Sequence, residues 1–346
     1  MIAYPLHTPI IVPFEDRETW HGLRARTIGG SEVAALFEAV AQESPVEDGE
    51  SYEEEGQPVS PYSSPFSLWA LKTGRIKRKE TSNNRIRWGN LLEQTVAEEV
   101  ARARGWKIRK PPGYYLHPTV EGMGASLDLE MDEGDGVWRP LEVKTVASSE
   151  IHKWRNAINE YFPPMHLHLQ VQHQLAVTGL GHAWVAVLFG GSEERVIRIP
   201  RDEELIAAIE EAVASFWKDI DAGREPQPNE ARDLEVLKRL YAHVDPAKVL
   251  DWRHNDEMRA IVTEYVTLGK EILERQKARN LLLAKIRIHL RDAAAADLGD
   301  LLLKANQMPA SEILVRKEAH TVIRTSKPKA RHQGSPLARI HATADA

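Results

Sequence analysis

Cysteine is absent from the 346 residues of this chain. Disulfides, zinc–thiolate sites and iron–sulfur clusters are therefore excluded, so any metal ion has to be bound by oxygen atoms or by imidazole. Long apolar runs are absent too, since every run stays well short of the roughly 18 to 20 residues that span a bilayer. The first residues lack a basic region followed by an apolar block. These absences predict a soluble cytoplasmic protein, of a bacterial cell or a phage-infected host, that has no membrane partner.

A general excess of positive charge is lacking as well, because the formal net charge is -6 at pH 7. A local basic stripe can still bind phosphates on such a chain. Residues 42–60 hold only acidic charges among Ser, Gly and Pro, which predicts a flexible insertion. A basic run follows it, made of Lys72, Arg75, Lys77, Arg78, Lys79, Arg85 and Arg87. This run is interpreted equally well as a solvated helix end or as a wall that faces phosphates.

The apolar periodicity predicts a mixed α/β (α+β) core. The predicted elements are a helix over 88–104 that ends at Gly105, a hairpin within 122–146 with its turn at 132–136, a helix over 165–178 closed by Gly179, a strand over 183–189 and a helix over 202–220. Near the start, Gly29-Gly30-Ser31-Glu32 predicts a glycine turn, a Ser cap and a helix through Phe37.

The C-terminal third has a different pattern. Gly223, Pro226 and Pro228 predict the end of the core domain at residue 229, which leaves 230–346 as a second region. Within it, 256–291 is one long helical pattern, typical of a helical hairpin or a coiled-coil arm. The last thirty or so residues are strongly basic and are interpreted as a strand pair or a disordered tail.

The stretch Leu141-Glu142-Val143-Lys144 contains two candidate catalytic residues, Glu142 and Lys144. Alternate side chains of a strand share a face, so Glu142 and Lys144 point one way while Leu141 and Val143 point into a core. Asp128 on the hairpin partner brings a second carboxylate, and two carboxylates suit a hard divalent cation such as Mg²⁺. The ion would assist hydrolysis of a phosphodiester, with Lys144 orienting the attacking water or stabilising negative charge.

Simpler interpretations stand beside this one. Taken alone, Glu-x-Lys on a strand is more often an exposed ion pair than a catalytic pair. His166, His168 and His173 do not predict a metal site, because helical zinc pairs need a spacing of four residues. The tryptophans are interpreted mainly as buried anchors, with Trp154, between two basic residues, as the strongest candidate for stacking on a base.

The order of these elements resembles the PD-(D/E)xK nuclease superfamily. This resemblance implies a restriction-endonuclease-like core with a mixed central sheet flanked by helices, plus a C-terminal helical extension. It is most similar to the lambda-exonuclease-like branch that includes the YqaJ-type phage recombinases. The similar blocks are Trp20-His21-Gly22-Leu23-Arg24, Ile28-Gly29-Gly30-Ser31-Glu32-Val33, Trp88-Gly89-Asn90-Leu91-Leu92-Glu93, the segment from Ser126 to Lys144 and Gln170-Val171-Gln172-His173-Gln174.

One departure is Ser126-Leu127-Asp128-Leu129, which lacks the Pro and Gly of the family's Ser-Pro-Asp-Gly turn. A weakened or altered activity is an alternative that this departure leaves open.

The resemblance implies a role for each matching residue. The implied catalytic residues are Glu93, Asp128, Glu142, Lys144 and Gln170. The implied metal ligands are Asp128, Glu142, the carbonyl of Val143 and, from outside or through water, Glu93. Mg²⁺ is the implied cofactor, with Mn²⁺ as a substitute and two ions in the site. Arg24, Ser31 and Ser126 are implied to bind the 5′ phosphate and the DNA, in keeping with anion binding by a Ser at a helix N-terminus.

The function implied by the resemblance is a 5′-to-3′ exonuclease acting on the ends of linear double-stranded DNA. It would leave 3′ single strands for recombination, with a single-strand annealing protein as partner and a homo-oligomeric ring that threads the duplex. Two alternatives remain, an endonuclease or end-trimming enzyme on the same core, and a catalytically weak DNA-end-binding or scaffold protein.

Overall fold

A computed structural model describes residues 4–37, 58–78, 83–156 and 158–307. Most of the predicted acidic insertion over 42–60, together with Lys79 and the basic C-terminal segment, lies outside the described residues. The chain divides into two compact units, Met1–Leu240 and Tyr241–Ala346. The boundary predicted at 229/230 stays a prediction. Across the described ranges, no helix is both long enough and apolar enough to cross a membrane.

The first unit contains helices and strands in alternation. Its helices are α1 (Arg17–Ala25), α2 (Gly30–Val33), α3 (Pro65–Lys72), α4 (Asn84–Arg104), α5 (Met165–Thr178), α6 (Glu203–Asp221) and α7 (Leu234–Leu240), with 3-10 turns at Ala34–Leu36 and Ser148–Trp154. Its strands are β1 (Ile10–Val12), β2 (Lys107–Arg109), β3 (Tyr114–Leu116), β4 (Gly124–Ala125), β5 (Leu129–Asp132), β6 (Arg139–Val146), β7 (His182–Phe189) and β8 (Glu193–Pro200).

The central sheet has five strands in the order β2-β5-β6-β7-β8, and a second sheet has the order β1-β3-β4. In the central sheet β6 and β7 are parallel and the other neighbours are antiparallel, which confirms the predicted mixed sheet. The hairpin of β5 and β6 pairs Leu129 with Leu141. Asp128 precedes β5 by one residue, so this register brings it level with Glu142.

Two apolar clusters cover the two faces of the central sheet. The larger includes buried residues of α5, α6 and β7, and the smaller lies between the sheet and α4. Leu141 and Val143 belong to the smaller cluster, as the alternation of side chains predicts. Glu142 and Lys144 therefore project from the opposite face, toward α5.

The helix boundaries largely confirm the predictions. Helix α4 starts one turn before the predicted residue 88, because the side chain of Asn83 accepts a hydrogen bond from the backbone of Ile86. It ends at Gly105, whose φ of 70° is favoured by glycine. Helix α5 has the predicted bounds, and Gly179 closes it with φ 69°.

The predicted Ser cap at Ser31 is wrong. Gly29 is the N-cap of α2, and Ser31 is the second residue of a helix only four residues long. The Glu32 carboxylate caps the turn instead, accepting the backbone N–H of Gly29 at 3.0 Å. So short a helix offers no N-terminal anion site. Ser31 could therefore contact a phosphate only through its hydroxyl group.

The second unit contains α8 (Asp256–Leu290), followed by the antiparallel pair β9 (Ala295–Asp297) and β10 (Leu302–Lys304). Helix α8 is continuous over 35 residues, and none of them is buried. The alternative of a helical hairpin within 256–291 is therefore wrong, and the coiled-coil arm stays a prediction.

Candidate active site

Glu142 is the buried centre of the site. Its side chain is only 1% exposed. The amide of Gln170 donates to Oε1 at 2.6 Å, and the amide of Gln174 donates to Oε2 at 2.7 Å. The Lys144 ammonium also donates to Oε1. An exposed Glu-x-Lys ion pair is thus the wrong interpretation, because a buried carboxylate with three side-chain donors has its charge and orientation fixed.

Asp128 lies beside this centre. Its Oδ2 accepts the backbone N–H of Val143 at 3.1 Å and lies 3.8 Å from the Lys144 Nζ. Burial raises the pKa of Asp128 above its ordinary value, and the nearby Glu142 carboxylate adds to the effect. Burial alone disfavours the Lys144 ammonium, but Glu142 and Asp128 outweigh it and raise the pKa of Lys144. Lys144 is therefore the counter-charge of both carboxylates.

The altered sequence around Asp128 does not displace it from the site. In place of a turn-forming Pro and Gly, Leu127 and Leu129 flank it, and both are buried. Leu127 belongs to the larger apolar cluster and Leu129 to the smaller one. Packing of Leu127 and Leu129 on the two faces of the sheet therefore keeps Asp128 in place, where the family pattern uses a turn formed by Pro and Gly.

Glu93 comes to the site from α4. It is half-buried, and burial raises the pKa of Glu93 while Lys144 lowers it and Glu142 raises it. The structure thus brings Glu93, Asp128, Glu142, Lys144 and Gln170 into one site from two helices and one hairpin.

A divalent cation suits this donor set. Burial is the main cause of the raised pKa of both Asp128 and Glu93, and the charge of Glu142 adds to it in each case, so a cation bound here would stabilise the ionised carboxylates. Carboxylate oxygens are the ligands that Mg²⁺ prefers. Over the described residues, no group of three or more His, Asp or Glu side chains is already arranged to hold a metal ion. The cation that lies between Glu142 and Asp128 in this structure is the Lys144 ammonium.

The residues predicted to bind phosphate form a second cluster. Arg24 donates to the Ser31 hydroxyl at 3.2 Å, and its guanidinium lies 4.8 Å from the centre of the Trp20 ring. The Trp20 indole N–H in turn donates to the Ser126 hydroxyl at 3.1 Å. Trp20 thus links Arg24 to Ser126, two residues before Asp128, so this cluster is connected to the carboxylate site.

Glu32 joins this cluster to the basic run. The Lys72 side chain is 1% exposed and donates to Oε2 of Glu32 and to the carbonyl oxygens of Arg24 and Thr27, each at 2.7 Å. Arg78 donates to Oε1 of Glu32. Burial opposes ionisation of Glu32, but Lys72 and the two arginines outweigh it and keep its pKa below the ordinary value. Lys72 is therefore not part of a solvated helix end, whereas Arg78 remains exposed while it pairs with Glu32.

Several residues of these clusters were not identified from the sequence. Gln174 lies one helical turn after Gln170, and that spacing of four residues was the available signal. Glu32, Lys72 and Arg78 had no such signal, because their contact depends on the packing of α2 and α3.

His173, His168 and Trp154 have structural environments, whereas Trp88 is 60% exposed and is not the buried anchor that the sequence predicted. His173 is fully buried and hydrogen-bonds the carbonyl of Gly124 at 2.9 Å, and the ring of His168 packs on Phe162. Trp154 is buried edge-on to Phe189, so the suggestion that it stacks on a base is wrong. Its indole is an anchor of the core, like most of its kind.

Comparison with known proteins gives one family match. Residues 56–181 match the family described as YqaJ-like viral recombinase domain. The uncharacterized protein YqaJ of Bacillus subtilis (strain 168) is 28% identical over 288 residues, which are 82% of this chain and 81% of that protein. The resemblance to the YqaJ-type recombinases predicted from the sequence is confirmed. The matched range contains the five residues of the carboxylate site, whereas Arg24 and Ser31 precede it.

Two solved structures are also similar to this chain. An alkaline exonuclease (LHK-Exo) from Laribacter hongkongensis is 21% identical, covers 60% of this chain and 93% of its own, and has a TM-score of 0.42. A phage-related exonuclease from Haemophilus somnus 129PT is 13% identical, covers 57% and 96%, and has a TM-score of 0.38.

Proposed function

We propose that this chain is a Mg²⁺-dependent exonuclease that degrades one strand of linear double-stranded DNA from a 5′-phosphorylated end and leaves a 3′ single strand. The observation that carries the proposal is the buried Glu142, held by Gln170 and Gln174, with Asp128 and Lys144 beside it. A stable carboxylate at the centre of a partly open acidic site is suited to metal-assisted hydrolysis.

The metal ligands in this proposal are Asp128, Glu142 and the Val143 carbonyl, with Glu93 as an outer ligand or one acting through water. When bound, Mg²⁺, or Mn²⁺ in its place, neutralises charge on the phosphodiester and lowers the pKa of a water molecule. The second ion of the proposal follows from the resemblance alone, because one divalent ion together with the Lys144 ammonium already balances the three carboxylates.

Gln170 and Gln174 position Glu142 rather than react. Each glutamine amide donates to a different oxygen of the carboxylate, so the group cannot rotate without losing a hydrogen bond. Orientation of a ligand by such neighbours typically changes metal affinity or activity about 10- to 100-fold. The proposed role of both side chains is therefore to keep one carboxylate geometry through the reaction.

Lys144 acts at the reacting phosphate. Its ammonium contacts Glu142 and Asp128, and its raised pKa keeps it protonated at neutral pH. A protonated lysine cannot act as a base, so it orients the attacking water and stabilises the negative charge that develops on phosphate oxygen. When cations enter the site, the ammonium is free to move from the carboxylates to the substrate.

The end preference rests on Arg24, Ser31 and Ser126. Trp20 contacts both Arg24 and Ser126, which ties the phosphate-binding group to the segment that carries Asp128, just before β5. A phosphate held there lies at a fixed separation from the carboxylates, so cleavage would be measured from the end of the strand. The annealing partner and the ring are part of the same proposal and follow from the resemblance alone.

The test compares 5′-phosphorylated linear duplex, closed circular duplex and single strand, each with Mg²⁺ or with EDTA. Glu142→Gln is expected to abolish degradation of the linear duplex. Glu130→Gln is the matched control, since Glu130 is also a buried glutamate of the central sheet but binds Tyr115 and Arg109. Cleavage of closed circles would support the endonuclease alternative. Binding of ends with no Mg²⁺-dependent cleavage by the wild type would support the scaffold alternative.

A further inference from the structure

One carboxylate holds two arginines in the phosphate-binding cluster. Oε1 of Glu32 accepts a hydrogen bond from Nη2 of Arg78 and lies 3.6 Å from Nη2 of Arg24. Its other oxygen, Oε2, accepts the Lys72 ammonium and the backbone N–H of Gly29. Both guanidinium groups therefore meet at a single oxygen atom, next to the Ser31 hydroxyl.

The charges of this cluster do not balance. Three cations, Arg24, Lys72 and Arg78, surround the single carboxylate of Glu32, which leaves a net charge of +2 among these four side chains. Lys72 is buried and cannot exchange partners, whereas Arg78 is 42% exposed and Arg24 17% exposed. Only the two arginines can therefore turn toward an anion from solution.

Arg78 also stands where such an anion would enter. It lines a cavity of about 230 Å³ together with Ser31, Ser63 and Ser67, and it lines a neighbouring cavity of about 340 Å³ together with Arg24. Arg78 and Leu71 line both cavities, and of these two only Arg78 is charged, so it connects the hydroxyl groups of the first cavity to the guanidinium group of the second.

We propose that Arg78 is a second arginine that binds the terminal phosphate, that the pair of arginines selects a phosphomonoester dianion, and that Glu32 is the residue that positions both. This inference rests on the proposed function, since it concerns the same DNA end. A terminal phosphate carries a charge of about -1.5 to -2 at pH 7, with its second pKa near 6, whereas an internal phosphodiester carries about -1. A net charge of +2 matches the dianion, and the excess charge makes the terminal phosphate the better ligand.

The experiment measures binding of a duplex with either a 5′ phosphate or a 5′ hydroxyl to the full chain, in EDTA, by fluorescence anisotropy. Arg78→Gln is expected to weaken binding of the phosphorylated end about 10-fold or more, the typical worth of a charge-assisted hydrogen bond, and to change binding of the hydroxyl end less than about twofold. Arg78→Lys keeps the charge but not the planar fork, and is expected to fall between wild type and Arg78→Gln.

Arg75→Gln is the matched control. Arg75 is in the same loop and loses the same charge, but its guanidinium stacks on Trp69 and lies 4.0 Å from Glu225. We expect it to keep the wild-type ratio of affinities for the two ends. Glu32→Gln is expected to reduce that ratio while both arginines remain. Because Glu32 is buried and this variant can fail to fold, the Arg78 variants decide the outcome.

A pH series separates recognition from a structural role. The preference of the wild type for the phosphorylated end should shrink between pH 7.5 and pH 5.5, because the terminal phosphate gains a proton near its second pKa of about 6. Arg78→Gln should show little change over this range. Equal weakening of both ends by Arg78→Gln, or the same loss with Arg75→Gln, would overturn the inference. Equal binding of both ends by the wild type in EDTA would also overturn the inference, whereas failure to cleave either duplex once Mg²⁺ is supplied would instead overturn the proposed function.

Discussion

Gln174 donates its amide to Oε2 of Glu142 at 2.7 Å from a position one turn beyond Gln170. The two glutamines thus hold opposite oxygens of the same carboxylate from one face of α5. Because a carboxylate only accepts hydrogen bonds, both amides have to present their nitrogen atoms. The consequence is a Glu142 carboxylate with a fixed plane, held by two donors from α5 and by Lys144 from its own strand.

Gln174→Leu removes one of these donors with little change in volume. We expect the Mg²⁺ concentration for half-maximal degradation to rise and the maximal rate to fall, by about 10- to 100-fold together. Titration of the degradation rate with Mg²⁺ measures both quantities. Gln172→Leu is the control, since Gln172 is a buried glutamine of the same helix that binds Pro200 and Asp202. An unchanged Mg²⁺ dependence in Gln174→Leu would contradict the positioning role.

Lys144→Met separates metal binding from reaction. Without the ammonium, Asp128 and Glu142 lose their counter-charge, so a divalent cation should bind at least as tightly as in the wild type. Degradation should nevertheless be lost. Calorimetric titration with Mn²⁺ measures binding independently of activity, and Asp128→Asn should weaken it. Loss of Mn²⁺ binding in Lys144→Met would show that the lysine supports the metal site and does not act on the substrate.

His173 makes stability depend on pH. Burial lowers the pKa of His173 from 6.5 to about 4. The unfolded chain therefore takes up a proton at this residue below pH 6.5 while the folded chain does not. Stability is present above pH 6.5 and is lost as the pH falls toward 4, by up to roughly 3 kcal/mol. Urea unfolding at pH 7.5, 6.0 and 5.0 measures the change. His173→Gln should flatten this dependence, and an unaltered slope would assign it to other groups.

Asp233 tests how far the first unit extends. It is buried, and its two oxygens accept the Ser64 hydroxyl at 2.5 Å and the backbone N–H of Asn229 at 2.8 Å. Asp233→Ala should cost about 2 kcal/mol or more, because it leaves buried donors without an acceptor. Asp219→Ala, which removes an exposed partner of Arg224, should cost under about 1 kcal/mol. Similar small losses in both variants would place the segment after residue 229 outside the cooperative core.

The sequence allowed prediction of the elements whose signals are local. Helix α5, the hairpin and the end of α4 at Gly105 follow from periodicity, a polar turn and glycine closure. The Glu142 and Lys144 pair follows from strand alternation. The cap of α2 was mispredicted, because the helix begins before Ser31, with Gly29 as its N-cap and with the Gly29 N–H donated to the Glu32 carboxylate. The contacts of Glu32 with Lys72 and Arg78 depend on how separate helices pack, which no spacing in the chain records.

The basic run that begins at Lys72 also has contacts that the sequence did not predict. Lys72 and Arg75 lie three residues apart in one basic run, yet Lys72 is buried in hydrogen bonds and Arg75 stacks on Trp69 at the surface. The run of basic residues therefore predicted a basic region, but it did not predict the partner of each residue.

The two leucines beside Asp128 belong to different apolar clusters, Leu127 on one face of the sheet and Leu129 on the other. A turn built on Pro and Gly can open by itself, whereas a carboxylate held between two packed cores moves only when one of them opens. Backbone amides here should therefore exchange with solvent no faster than those of the central strands. The active site and the whole fold should then unfold at the same temperature, so the loss of activity on heating should coincide with global unfolding.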